Sequence, residues 1–469
     1  MGLKAVYTSP ARPMSGCGEA TVGCSHLCLA TPLGPTCACP TGHELGRDNV
    51  SCVVPEAFLI FTRRDDIKRM SIEIENSRDM LIPLRDVKEA SALDYDKADG
   101  RIYWSDIKEK TISRAYTNGS SLELMVEFGL DYPRGIALDW REGNLYWSDA
   151  GTGRLEVMSL TLGDRKVLIW KELESPECIV IDMESEKIIW SSWGLDPVLE
   201  RSDLDGSNRE VIVTSGGRAT GLTVDPAMKL LLWSDQDGLS ISYTSLSQPG
   251  KVKRLTTMGH PYALTSYKSN LFWTDWSTHQ VYKAALLNIS GAGLELMTPS
   301  VLKTGLDYVM DMIVYTGPQD DVTTPGSPCS ESECQHLCVP RQGRAQCLCP
   351  SHFVLQPDSL TCSPPLSFLL FSQKNKISRL VTEEGEVPDI VLPIRRARSI
   401  QSVSYDSVSG LVYWLDAGRG EQPARQVIRR ASHTGQTQVF DIMDKFQPFD
   451  LVIDPLTRYN ACYNSSTLW

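Results

Sequence analysis

Leu145-Tyr146-Trp147-Ser148-Asp149 decides the fold, because near-copies of it return at an almost constant interval on both sides. Tryptophans stand at Trp104, Trp147, Trp190, Trp233 and Trp273, separated by 43, 43, 43 and 40 residues. One interval before Trp104 lies Phe61, in Phe58-Leu59-Ile60-Phe61-Thr62, a sixth and degenerate copy. A repeat of roughly 40 to 45 residues built on an aromatic strand signals propeller blades of four strands each. The expected fold is all-β, with a six-bladed propeller at its centre.

Around the aromatic strand, each unit carries an inner strand such as Gly135-Ile136-Ala137-Leu138-Asp139, then an Arg-Leu-Glu-Val-type strand and a Lys-Val-Leu-Ile-type strand. The first unit lacks an inner strand, and Val309 to Tyr315 is one left over after the sixth. Pairing the two within the first blade closes the ring and removes an exposed edge. The propeller is therefore assigned to residues 54–325, and 1–13 to the closing strand and linker of a preceding propeller. After a second cysteine cluster the pattern restarts with Phe368 to Ser372 and Tyr413-Trp414-Leu415-Asp416, so 364–469 reads as an incomplete second propeller. One blade and part of another are expected there, and the motif lapses at Tyr459 to Tyr463.

Twelve of 14 cysteines form two clusters: Cys17, Cys24, Cys28, Cys37, Cys39 and Cys52, then Cys329, Cys334, Cys338, Cys347, Cys349 and Cys362. Their gaps agree from the second cysteine onward, which marks residues 14–53 and 326–363 as copies of one small module. Modules this small depend on bridges, which places them outside the reducing cytosol. Zinc is the competing explanation, but neither cluster has paired Cys-x-x-Cys knuckles. A net charge of -12 opposes nucleic acid as partner and favours a basic protein. No apolar run reaches the roughly 18 residues of a membrane span, and no secretory signal opens the chain, so it reads as an excerpt of an extracellular protein. Sequons place candidate glycans at Asn49, Asn118, Asn288 and Asn464.

Repeated aspartates at Asp94, Asp139, Asp182 and Asp225 suit a structural bond made once per blade better than a catalytic centre, which needs unlike residues at one place. Cys178, alone in an apolar strand, reads as a buried thiol. Binding residues are sought where the repeats differ. In an up-and-down blade, the loop entering the first strand and the loop joining the second to the third share one face. That face carries Glu89, Ile107, Tyr132, Arg134, Glu177, Trp193, Arg218, Asp237, His260, Tyr262, Trp276, Tyr308 and Met310, a composition typical of interface centres.

Phe272-Trp273-Thr274-Asp275 and its variants resemble the Tyr-Trp-Thr-Asp propellers of low-density-lipoprotein-receptor relatives, in which epidermal-growth-factor-like modules follow each propeller. Val87 to Asp94, Val126 to Pro133 and Phe368 to Lys374 look like the third propeller of the Wnt co-receptors in that family, and the likeness holds until Tyr459. The resemblance implies bridges Cys17–Cys28, Cys24–Cys37, Cys39–Cys52, Cys329–Cys338, Cys334–Cys347 and Cys349–Cys362. It also implies that Wnt and Dickkopf proteins bind through Glu89, Ile107, Tyr132, Trp193, Arg218, Asp237, His260, Tyr262, Trp276 and Met310, with a Frizzled-type co-receptor beside the full-length protein. The alternatives are an endocytic lipoprotein-type receptor, a matrix-binding propeller and a propeller hydrolase. The acidic pair that would give the modules calcium is missing, so neither metal nor cofactor is expected. Three departures stand out: Arg134 replaces an acidic residue of the family, Glu177 a basic one, and Tyr262 a phenylalanine. The charge reversals are expected to weaken a familiar ligand or select another.

Overall fold

The computed structural model describes residues 17, 23–31, 34–40, 43–46, 48–53, 55–74, 77–214, 217–255, 259–289, 293–318, 327–382, 387–395, 397, 399–416, 426–432, 437–441, 450–454, 460–464 and 467–468. The expected closing strand Met1 to Tyr7 lies outside them, as does the side chain of Asn464. Among the described residues six sheets form the central ring, and no helix is long and apolar enough to cross a membrane. The aromatic stretch Asn144–Asp149 is second in its sheet, between Pro133–Asp139 and Arg154–Ser159. All six of its residues are buried. A strand covered on both faces by neighbouring blades reads as one apolar run instead of alternating. Trp147, Trp190 and Trp233 are wholly buried and fill the wedges between blades.

The ring closes through the first blade. Met312–Tyr315 pairs antiparallel with Phe58–Arg63, setting Met312 opposite Phe61 and Tyr315 opposite Phe58. It also contacts the inner strands of the second and sixth blades, Ala90–Tyr95 and Pro261–Tyr267. The sixth blade has a feature that the repeat does not reveal: Gln280–Ile289 runs on for ten residues and turns back through Gly293–Leu296 before Ser300–Thr304 completes the sheet.

Two expectations need correction. Asp94 pairs with Tyr103 as Ala137 pairs with Tyr146, so Asp94 is not the equivalent of Asp139. The equivalent is Asp96, whose carboxylate accepts the Ala98 N–H as those of Asp139, Asp182 and Asp225 accept N–H groups of their own turns. These aspartates therefore cap turns away from the binding loops. The second correction concerns the last hundred residues, which hold more than one blade and a part. A three-stranded sheet begins at Phe368–Gln373, a four-stranded one follows from Ile400–Asp406, and Asp450–Ile453 pairs with Asn460–Asn464. Strand pairing uses backbone groups, so it survives where the aromatic motif is gone.

Bridges join Cys17 to Cys28, Cys24 to Cys37 and Cys39 to Cys52, and Cys329 to Cys338, Cys334 to Cys347 and Cys349 to Cys362. The second module is seated under the third and fourth blades. Leu337 and Val339 have no exposed surface and join the cluster of Leu155, Ile188 and Leu204. Around them, the Asn144 amide donates to the Cys338 carbonyl at 2.7 Å, His336 Nδ1 lies 2.8 Å from Asp164, and Arg341 pairs with Asp205 at 3.1 Å.

Candidate functional site

In the second and third blades the last residue of the aromatic motif builds the face on which the candidate binding residues sit, a role that spacing did not disclose. Asp106 accepts the Lys88 and Glu89 N–H groups from the entering loop and the Lys108 and Glu109 N–H groups from the second-to-third loop. Asp149 does the same with Asp131, Tyr132, Gly151 and Thr152. Each carboxylate thus ties two loops of one blade together through charge-assisted bonds. Backbone bonds repeat the link: Ile107 N–H to Glu89, Ala150 to Tyr132, Gln236 to Arg218 and Trp276 to His260. Loop residues held in this way form a rigid display.

The ten proposed contact residues share this face but differ in exposure. Glu89, Tyr132, Arg218, Asp237 and His260 are exposed, whereas Trp193, Trp276 and Met310 are half-buried. Ile107 and Tyr262 are buried, each 7% exposed. Both indoles reach the next blade: Trp193 Nε1 donates to the Ala219 carbonyl at 2.9 Å and Trp276 Nε1 to that of Val309 at 3.1 Å. Arg218 makes a forked pair with Asp237, with Nη2 to Oδ1 at 2.7 Å, and its guanidinium stands 5.7 Å from the Trp193 ring. Leu195, beside Trp193, is 97% exposed and was not singled out by the sequence; an apolar residue in a second-to-third loop is the signal that could have found it.

At the channel mouth, Arg134, Glu177 and Tyr262 are one cluster. Arg134 Nε meets Glu177 Oε2 at 2.5 Å, and its Nη2 donates to the Tyr262 hydroxyl at 3.3 Å. Arg134 and Glu177 therefore form a compensated ion pair, with side-chain exposures of only 11% and 8%. Burial opposes the charge on Arg134, but Glu177 and Tyr262 outweigh it and hold the guanidinium above its ordinary range. Gly135 makes room for this arrangement, since a Cβ there would stand 2.5 Å from the Glu177 carbonyl oxygen.

Deeper in the ring, Asp94 accepts the Leu138 N–H and Asp311 the Leu93 N–H, so each stitches its inner strand to the next blade. Burial pushes their carboxyls up to about 6 and about 7. Cys178 lines the same mouth and is half-buried instead of fully buried as expected, yet the surrounding protein still raises its thiol, which disfavours the reactive thiolate. Asn49, Asn118 and Asn288 are all exposed.

Residues 100–140 match the family described as low-density lipoprotein receptor repeat class B, and residues 17–52 the one described as coagulation factor Xa inhibitory site. Human low-density lipoprotein receptor-related protein 5 is 46% identical over 100% of this chain, which covers 28% of that protein. Human low-density lipoprotein receptor-related protein 4 is 41% identical over 89% of this chain and 22% of its own length. A solved nidogen/laminin complex aligns with 55% of this chain and 98% of its own at 28% identity and a TM-score of 0.50. The chain spans about a quarter of the length of these curated relatives. By a class B repeat at residues 100–140 and 46% identity along its whole length to human low-density lipoprotein receptor-related protein 5, the chain is homologous to members of the low-density-lipoprotein-receptor-related family.

Proposed function

We propose that the chain is an extracellular ligand-binding segment of a Wnt co-receptor, and that the loop face of its closed propeller binds secreted proteins of the Wnt and Dickkopf type. A Frizzled-type receptor would act beside the full-length protein. The observation that carries this reading is the display itself: aromatic, charged and apolar side chains on loops held by motif aspartates in the second and third blades and by backbone bonds in the fourth, fifth and sixth. Rigid aromatic anchors with an Arg and a charged rim are what protein interfaces concentrate their binding energy in. Binding is favoured over catalysis because the repeated inner-strand aspartates are engaged by turn N–H groups. The nidogen/laminin likeness keeps a matrix-binding propeller as the second reading.

The test is binding of the full chain to the cysteine-rich C-terminal domain of a Dickkopf protein and to laminin, before and after Trp193→Ala and Trp276→Ala. Each substitution is expected to weaken Dickkopf binding about tenfold or more while the melting transition persists. Undiminished binding in both folded variants removes the site; binding to laminin alone establishes the second reading.

A further inference from the structure

The contacts at the channel mouth converge on Arg134. It belongs to the third blade, yet it reaches Glu177 of the fourth, Ser91 of the second at 3.4 Å and Tyr262 of the sixth, on the far side of the channel. Its guanidinium also stands 5.4 Å from the ring of Tyr132. Tyr262 in turn stacks on Trp276, with centroids 3.8 Å apart and planes inclined by 13°. Trp276 is tied to the Val309 carbonyl, next to Met310. One side chain thus touches two of the proposed contact residues directly and a third through the stack.

We infer that Arg134 is a positioning residue of the ligand face: it holds Tyr132, Tyr262 and, through Tyr262, Trp276 in the arrangement a partner meets, with Glu177 as its counter-charge. The inference rests on the reading of this face as the ligand surface. Arginine suits the role because its planar fork carries several donors in fixed directions and serves a carboxylate and a hydroxyl at once. Lysine keeps the charge but has a single nitrogen on a flexible stem. Anchors already ordered in the free protein bind tighter because less freedom is lost on association.

The experiment is a double-mutant cycle in the full chain with Arg134→Lys, Tyr262→Phe and both together, measuring affinity for the Dickkopf C-terminal domain. Arg134→Lys retains the ion pair with Glu177 and loses the simultaneous bond to Tyr262; Tyr262→Phe removes only the acceptor. Each single change is expected to weaken binding about tenfold and the double change no more than either, because both break one linkage. Wild-type affinity in Arg134→Lys, or about a hundredfold loss in the double variant, overturns the inference. A ligand-free arm reads the near-ultraviolet circular dichroism of the Tyr262–Trp276 stack, isolated by subtracting Trp276→Phe. Arg134→Lys should reduce that band; a band unchanged from wild type contradicts the positioning role. If the wild-type chain binds no Dickkopf domain, the proposed function falls and the ligand-free arm still decides whether Arg134 orders the rings.

Discussion

The two six-cysteine modules have the same bridges and different surroundings. Leu337 and Val339 of the second are sealed against the propeller, while Leu27 and Leu29, at the same distances from their cysteines, are 48% and 52% exposed. His336 stands against Asp164, whereas its counterpart His26, among the described residues, meets Ser25 and His43 of its own module. The difference teaches that the bridges determine a module's shape, whereas its contribution to stability comes from the surface laid against it. Apolar side chains in one and the same frame contribute strongly where a blade covers them and little where none does.

The sharpest way to break this comparison is to truncate both leucines. Leu337→Ala is expected to lower unfolding stability by about 2 to 5 kcal/mol, as a large-to-small change at a closed interface does. Leu27→Ala is expected to stay within about 0.5 kcal/mol. Equal losses in thermal or denaturant unfolding would show that the seat under the propeller is not what distinguishes the modules.

A smaller effect involves Asp139, which lies beside the seat with its Oδ2 buried and without a partner among the described residues. Burial pushes its carboxyl up to about 6. A carboxyl raised in the folded state binds more protons than its unfolded counterpart between roughly pH 4 and 6, so stability falls as pH rises through that window. The contribution is on the order of 3 kcal/mol. Asp139→Asn should make the fall of stability between about pH 4 and 6 shallower, the raised carboxyls of Asp94 and Asp311 accounting for what remains; a fall as steep as in the wild type would contradict the assignment.

The smallest effect belongs to the partly exposed pair of His336 and Asp164. Asp164→Asn is expected to lower stability by about 0.2 to 1 kcal/mol at pH 6, and salt should shrink the difference. A salt-independent loss of several kcal/mol would mean that this contact, and not the leucine seat, anchors the module.

What the sequence disclosed follows from what spacing can carry. The interval between Trp104 and Trp273 was enough for the blade count, and the unmatched strands at the two ends were enough for closure through Met312–Tyr315. Spacing says nothing about contacts between units, so the seat of Leu337 and Val339 was invisible. The same limit hid the cluster of Arg134, Glu177 and Tyr262, whose members are 43 and 85 residues apart and meet only because the ring brings opposite blades to one mouth. Asp94 was aligned with Asp139 by residue type when the register required Asp96. The hairpin Gln280–Leu296 escaped because no motif tryptophan follows Trp273 within the ring. The loop face itself was legible, since strand order alone fixes which loops share a side; exposure was not, and Ile107 and Tyr262, both buried, are the residues on which that mattered.

The central claim is that a partner protein is gripped by the loop face of the closed ring. Hydrogen–deuterium exchange of the full chain, alone and with saturating Dickkopf C-terminal domain, tests it most directly. Protection confined to the segments around Glu89, Tyr132, Trp193, Arg218, His260 and Trp276 is the predicted result. Protection on the opposite side, around the turns of Asp96 and Asp182 or in the second module, would contradict it.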